Sequence, residues 1–267
     1  MIDIPLGDLA ALSAALLMAG VVTGLMAGLF GVGGGAVIVP VLYQVFEVIG
    51  VPEEVRMHLA VGSSLAIIIP TSIQSFRSHY ANGAVRMDVL KVWAAPVVAG
   101  VLAGGVVAAF APALVLKLVF VVVATTIIIK TFSGRDDWRI ADDLPGRAAL
   151  SGYGFGIGVA STLMGVGGGA MANMVFALYN RSIHSAVATS SGLGVLISLP
   201  GALGYVIAGW PRMDLLPPLS LGYVSLIGVA LIAPRRISVV YAAVFKVNAI
   251  SAHQYASRRI GHSKPYA

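Results

Sequence analysis

Apolar stretches close to the length of a bilayer-crossing helix recur along this chain, and no other feature narrows its fold so far. They fall at about 9–31, 35–50, 58–79, 89–110 and 113–132, and again at about 148–164, 170–180, 184–208 and 215–234. A helix needs roughly 20 apolar residues to cross the hydrocarbon core. Charged residues make up only 10% of the 267, against roughly 25% in a soluble domain, and mean hydropathy is +0.93. The chain therefore reads as an all-α, polytopic membrane protein with about 8–9 transmembrane helices. The segments starting at 35 and 170 are short for a full crossing and predict half-helices or tilted spans.

Two copies of one helix-breaking motif interrupt this pattern. Leu29 to Ala36 reads LFGVGGGA and Leu163 to Ala170 reads LMGVGGGA, seven of eight residues identical at a spacing of 134. Further landmarks recur in the same order. His58 to Ser64 (HLAVGSS) matches His184 to Ser190 (HSAVATS), and Arg86-Met87-Asp88 matches Arg212-Met213-Asp214, both at a spacing of 126. The chain is thus two homologous halves, 1–132 and 148–267, joined by the polar loop 133–147. Residues 235–267 form an atypical basic tail.

Charge orients the halves. With five crossings in the first half and four further segments after the loop, 14 Lys and Arg residues share one side and only Arg56 and Arg212 fall opposite, with Lys117 inside an apolar segment. Positive charge marks the cytoplasmic face. That places the central loop and the tail in the cytoplasm and the N-terminus outside, with an odd number of crossings per half and hence inverted repeats. The first 20 residues carry two Asp and no basic residue, so they lack the start of a signal peptide and read as the beginning of the first helix.

Inverted repeats with broken helices are a secondary-transporter architecture, the breaks meeting at a central site. Unpaired backbone at membrane depth is tolerated only where protein buries it or a wet cavity meets it. Gly31, Gly33, Gly34 and Gly35, with Gly165, Gly167, Gly168 and Gly169, can adopt positive φ and let a ligand approach the main chain. Where each run leads into a helix, the free N–H groups and the positive helix end suit a small anion. The alternative is close helix packing, which is how Gly100, Gly104 and Gly105 read. Hydroxyls follow each break: Ser63 and Ser64, then Thr189, Ser190 and Ser191. They could donate to an oxyanion or bond back onto their own helix. Asn173 places an amide after the second break, where the first half has Val39. His58 and His184 start matching helices; each could carry a coupling proton, although an interfacial helix start is the plainer role.

Several classes are excluded or disfavoured. There is no cysteine, so disulfides and thiolate metal sites are out. No Asp or Glu lies in the middle of an apolar segment, which argues against a metal-cation carrier. Neither glycine run continues into G-K-[ST], so no nucleotide-binding loop is present. No metal, cofactor or catalytic residue set is expected, and the net charge of +6 fits membrane orientation rather than nucleic-acid binding. The expected partners are the lipid bilayer and a small anionic substrate.

The string GLFGVGGGAVIVPVL, the second LMGVGGGA, the H-x-A-V helix starts and the paired RMD resemble the TauE/SafE family of sulfite exporters over residues 9 to 234. The resemblance implies a permease of the bacterial inner membrane that moves sulfite, sulfonates or related sulfur-containing anions. It carries Gly31, Gly33, Gly34, Gly35 and Pro40 onto the motif, with Gly165, Gly167, Gly168 and Gly169 in the second half, where Met174 replaces the proline. The C-terminus departs from the family pattern of a glycine-rich helical hairpin. Residues 235–267 read as an interfacial helix, a degraded last crossing or a frameshifted tail. A channel-like anion conduit and a non-transporting scaffold are the alternatives to a carrier.

Overall fold

The computed structural model describes residues 35–132, 141, 144–179 and 183–233, side chains excepted at 130–132, 183 and 184. The first glycine run up to Gly34, the connecting loop from 133 to 140 and the tail from 234 lie outside the described residues.

The described chain is helical almost throughout: α1 (Gly35–Val48), α2 (Glu53–Ala81), α3 (Met87–Phe110), α4 (Ala113–Phe132), α5 (Arg147–Met164), α6 (Gly169–Leu178) and α7 (Ile183–Gly209). By length and composition, the helices Glu53–Ala81, Met87–Phe110 and Ser185–Leu215 can cross a membrane. The two helices that follow the glycine runs are short. α1 has 14 residues and α6 has 10, or about 21 Å and 15 Å at 1.5 Å per residue, against a hydrocarbon core of about 30 Å. α6, with both its caps among the described residues, is a half-helix; α1 is described only from Gly35 onward.

The packing order follows from where small residues let backbones meet. α2 and α7 run antiparallel: Gly192 lies against Phe76, Gly194 against Ser72, Gly201 against Leu65, and Gly62 against Tyr205. At one end of this pair the Arg86 N–H donates to Thr189 Oγ1 at 3.0 Å. An inverted duplication requires this, because α2 and α7 are repeat counterparts. α3 and α5 run parallel, with Gly100 against Phe155, Gly104 against Val159, Gly154 against Trp93 and Gly158 against Val97. A Cβ at Gly100 or Gly158 would land on the opposing carbonyl oxygen, so only glycine permits this approach. Gly105 is different: nothing lies within 4 Å of a Cβ there, so the packing role read for it from sequence is corrected.

Trp93 is fully buried where α3, α5 and α6 meet. Its Nε1 donates to Leu150 O at 2.7 Å and its ring meets Phe176 edge-on at 5.6 Å. The outer faces of α3, α4 and α7 expose many large apolar residues, among them Leu102, Phe110, Leu118, Val122, Leu203 and Ile207. Such faces suit hydrocarbon rather than water.

One predicted span is broken. The apolar segment 215–234 opens instead with a 3-10 turn (Trp210–Leu215) and a small antiparallel hairpin, β1 (Ser220–Leu221) and β2 (Val224–Ser225). Helix resumes at Leu226 and runs to Ala233, where the described residues end. Local chemistry explains it: Pro211, Pro217 and Pro218 remove helix donors, and Leu219 and Gly222 take positive φ. The hairpin is wedged into the bundle. The Tyr223 N–H donates to Tyr205 O at 3.1 Å, and Gly62 and Gly209 both leave room for the Tyr223 backbone.

Candidate functional site

The second glycine run is a built break between α5 and α6. Gly165 ends α5 in the left-handed conformation at φ 70°. Its own N–H and that of Val166, at 3.1 Å, both donate to Ser161 O, so the helix closes with its last carbonyls partly satisfied. Gly168 takes a second left-handed turn at φ 72° and caps α6. Left-handed backbone costs an L-residue roughly 1–2 kcal/mol, which explains glycine at both points. Every residue from Ser161 to Gly169 is buried.

Three other helices close on this break. The Tyr205 hydroxyl, from α7, donates to Thr162 O at 3.1 Å. The Ser64 hydroxyl, from α2, donates to Gly165 O at 2.7 Å. Gly35, the first residue of α1, sits so close that a Cβ there would strike Gly165 O, with Val166 Cα at 2.8 Å. The end of the first glycine run therefore abuts the second. On the remaining side, Gly194 of α7 lies near Gly167 O, 3.7 Å from its Cβ position, and Ile197 presses on Gly168.

The amino end of α6 carries no side-chain cap. Among the described residues nothing accepts from the N–H groups of Gly169, Ala170 and Met171, the usual orphan donors of a helix start. Beside them lies a buried hydroxyl: Ser161 Oγ has no hydrogen-bond partner and sits 3.3 Å from the Cβ position of Gly168. Ser198, one turn beyond Gly194 on α7, is also fully buried with a partnerless Oγ.

The structure thus brings together Gly35, Ser64 and Gly165 to Gly169, while Gly31, Gly33 and Gly34 lie outside the described residues. The other hydroxyls face elsewhere. Ser63 Oγ accepts the Ser225 N–H at 2.8 Å and so pins the hairpin. Thr189 accepts from Arg86. Ser190 and Ser191 donate back to Val187 O and Ala188 O at 3.0 and 2.6 Å. A hydroxyl that only accepts keeps its own hydrogen, so Ser63 and Thr189 retain a donor, whereas Ser64 spends its donor on the break itself. Asn173 lies on α6, half-buried. His58 is buried, and its side chain engages groups other than the break. Its Nε2 lies 3.2 and 3.1 Å from Ala108 O and Ala111 O, and its ring stacks on Tyr223 at 5.0 Å. It ties α2 to the α3–α4 turn and the hairpin. Of His184 only the backbone, at the start of α7, is described.

Sequence reasoning missed Ser161, Ser198 and Tyr205. One signal was present: Ser198 follows Ser72 by the same 126 residues that relate the other landmarks. Ser161 and Tyr205 have no such partner, since Ala27 and His79 hold the matching places.

Helices long and apolar enough to span a bilayer, paired in opposite directions around a buried break, define a multi-pass membrane transporter of the helical class. The chain belongs to the Sulfite exporter TauE/SafE family, which it matches over residues 16–250. It is 30% identical over 211 residues to a probable membrane transporter protein of Haemophilus influenzae, covering 79% of each chain. A probable membrane transporter protein of Methanocaldococcus jannaschii is 28% identical over 200 residues, 72% of each chain. One of Bacillus subtilis is 24% identical over 210 residues, 74% of this chain and 81% of that one. No solved structure matches the chain.

Proposed function

We propose that this protein is a secondary transporter of small sulfur-containing anions, such as sulfite or organosulfonates, which it binds at the paired glycine breaks. The observation that carries this is the buried α5–α6 break, where the N–H groups of Gly169, Ala170 and Met171, without an acceptor among the described residues, stand beside the Ser161 hydroxyl, which has no partner there either. Donors of this kind, at the positive end of a helix, take an anion without a buried cation. The family name supports sulfur oxyanions as the class.

The two halves, 1–132 and 148–267, act as the inverted elements of an alternating-access cycle, with 133–147 connecting them in the cytoplasm. Gly35 against Gly165 is the point where one half bears on the other's break. Movement of α1 relative to α5 then opens the break to one side or the other. The chain lies in the bacterial inner membrane with the Arg56 and Arg212 end outside. It acts without a cofactor and catalyses no covalent chemistry.

Sulfite flux into proteoliposomes holding the purified chain is the test. Saturable flux that Gly168→Ala abolishes, with the protein still folded by thermal melting, is the expected result. Flux unchanged by Gly168→Ala overturns the site, and a linear, unsaturating flux overturns the carrier in favour of a conduit.

A further inference from the structure

The tripeptide Arg-Met-Asp occurs once in each half, and the two copies are engaged differently. Arg86 closes on its own aspartate, Nε donating to Asp88 Oδ1 at 2.9 Å. That carboxylate neutralises it. Among the described residues no carboxylate lies within ion-pair distance of Arg212. Backbone geometry separates the two: Arg86 precedes α3 with ψ 83°, whereas Arg212 sits inside the 3-10 turn at φ −119°, ψ 25°. The same three residues therefore present their side chains differently.

Arg212 lies on the wall of a cavity of about 610 Å³ in which the two halves meet. α2 contributes Glu53, Glu54 and His58, α4 contributes Lys117, and the hairpin contributes Tyr223. Lys117 is spent on Glu53 at 2.6 Å. His58 directs Nε2 to the carbonyls of Ala108 and Ala111. The cavity thus offers one guanidinium not committed to a carboxylate. A guanidinium is a planar fork of donors that fits two oxygens of an oxyanion.

We infer that this cavity is a second anion site, distinct from the break, in which Arg212 holds the substrate oxyanion at the mouth of the transporter. The inference takes the chemical class of its ligand from the proposed anion transport, but it rests on different residues. The wall carries two acidic and two basic side chains, so Arg212 acts there as a local fork of donors and not through a net positive field. Glu54, on the same wall, opposes anion charge and sets a limit on how tightly the site can hold it.

Calorimetric titration of sulfite into the full chain in lipid nanodiscs tests this, with Gly168→Ala as the parent so that the break does not contribute. The parent is expected to retain one binding site. Adding Arg212→Gln weakens it about tenfold or more, the usual effect of losing a charge-assisted hydrogen bond. Arg212→Lys restores part of the loss, Glu54→Gln tightens binding, and Arg86→Gln leaves it unchanged. Arg212 is exposed, so these variants do not threaten the fold. Binding in Arg212→Gln equal to the parent, no binding in the parent, or weaker binding in Glu54→Gln overturns the inference. Failure of the break assignment shows separately, as flux that survives Gly168→Ala.

Discussion

Glycine does two different things in this molecule, and comparing the α3–α5 interface with the α5–α6 break separates them. At the interface, Gly100, Gly104 and Gly158 sit within helices and bring two backbones together, and Gly154 makes room for the Trp93 ring. There the missing side chain is a matter of space. At the break, Gly165 and Gly168 are left-handed, and the helix stops and restarts. There the missing side chain also permits a conformation. The first arrangement leaves every backbone group bonded along its helix, as lipid demands. The second leaves donors over, and a buried leftover donor is what a ligand can use. Density of glycine alone does not distinguish the two, and neither does burial.

Substitution separates the two roles of glycine. Gly158→Leu is expected to do the most damage, because its Cβ would enter the carbonyl of Val97. Overpacking of this kind costs about 1–3 kcal/mol or more, and both melting temperature and flux should collapse together. Gly168→Ala is next: it strains a left-handed position by roughly 1–2 kcal/mol and meets Ile197. It should lower the melting temperature moderately while removing flux almost entirely. If the two variants lose flux and stability in the same proportion, the division between packing and break glycines is wrong.

Smaller effects sharpen it. Ser64→Ala leaves Gly165 O without its hydroxyl donor, at about 1–3 kcal/mol for an unmet buried acceptor, and should reduce both stability and flux in part. Ser161→Ala should separate them with opposite signs. It deletes a buried hydroxyl that has no partner, so melting temperature should hold or rise while the half-saturating sulfite concentration increases several-fold. A fall in melting temperature with unchanged transport would assign Ser161 to structure instead. Gly105→Ala should be silent in both measurements, since nothing stands near its Cβ position.

Much of the fold was legible because it depends on linear properties of the chain. Hydropathy marked α2, α3, α4 and α7 to within a few residues, since a helix must bond its own backbone wherever lipid surrounds it. The short α1 and α6 were legible from the length of the apolar run after each glycine motif. The segment 215–234 was misread because its apolar composition suits a helix, while Pro217 and Pro218 with the positive φ of Leu219 and Gly222 deny it one. The candidate site was legible in part. The motif located the break, but Ser64 and Ser63 are adjacent in sequence, and only their helix phase sends one to Gly165 and the other to the hairpin.

By itself the sequence determined that this chain lives in a bilayer and that a set of motifs recurs along it in the same order; it predicted that the halves run in opposite senses and that a glycine run interrupts each. Hydrophobicity, repetition and the placement of charge are written residue by residue and need no partner to be read. Tertiary structure alone decided which glycines pack and which permit a turn, that Gly35 meets Gly165 across 130 positions of chain, and that Arg86 pairs with Asp88 while no described carboxylate pairs with Arg212. The repeat says which residues correspond, but correspondence is not contact. What a side chain touches is settled by helix phase and crossing register, and those are fixed only when the helices pack.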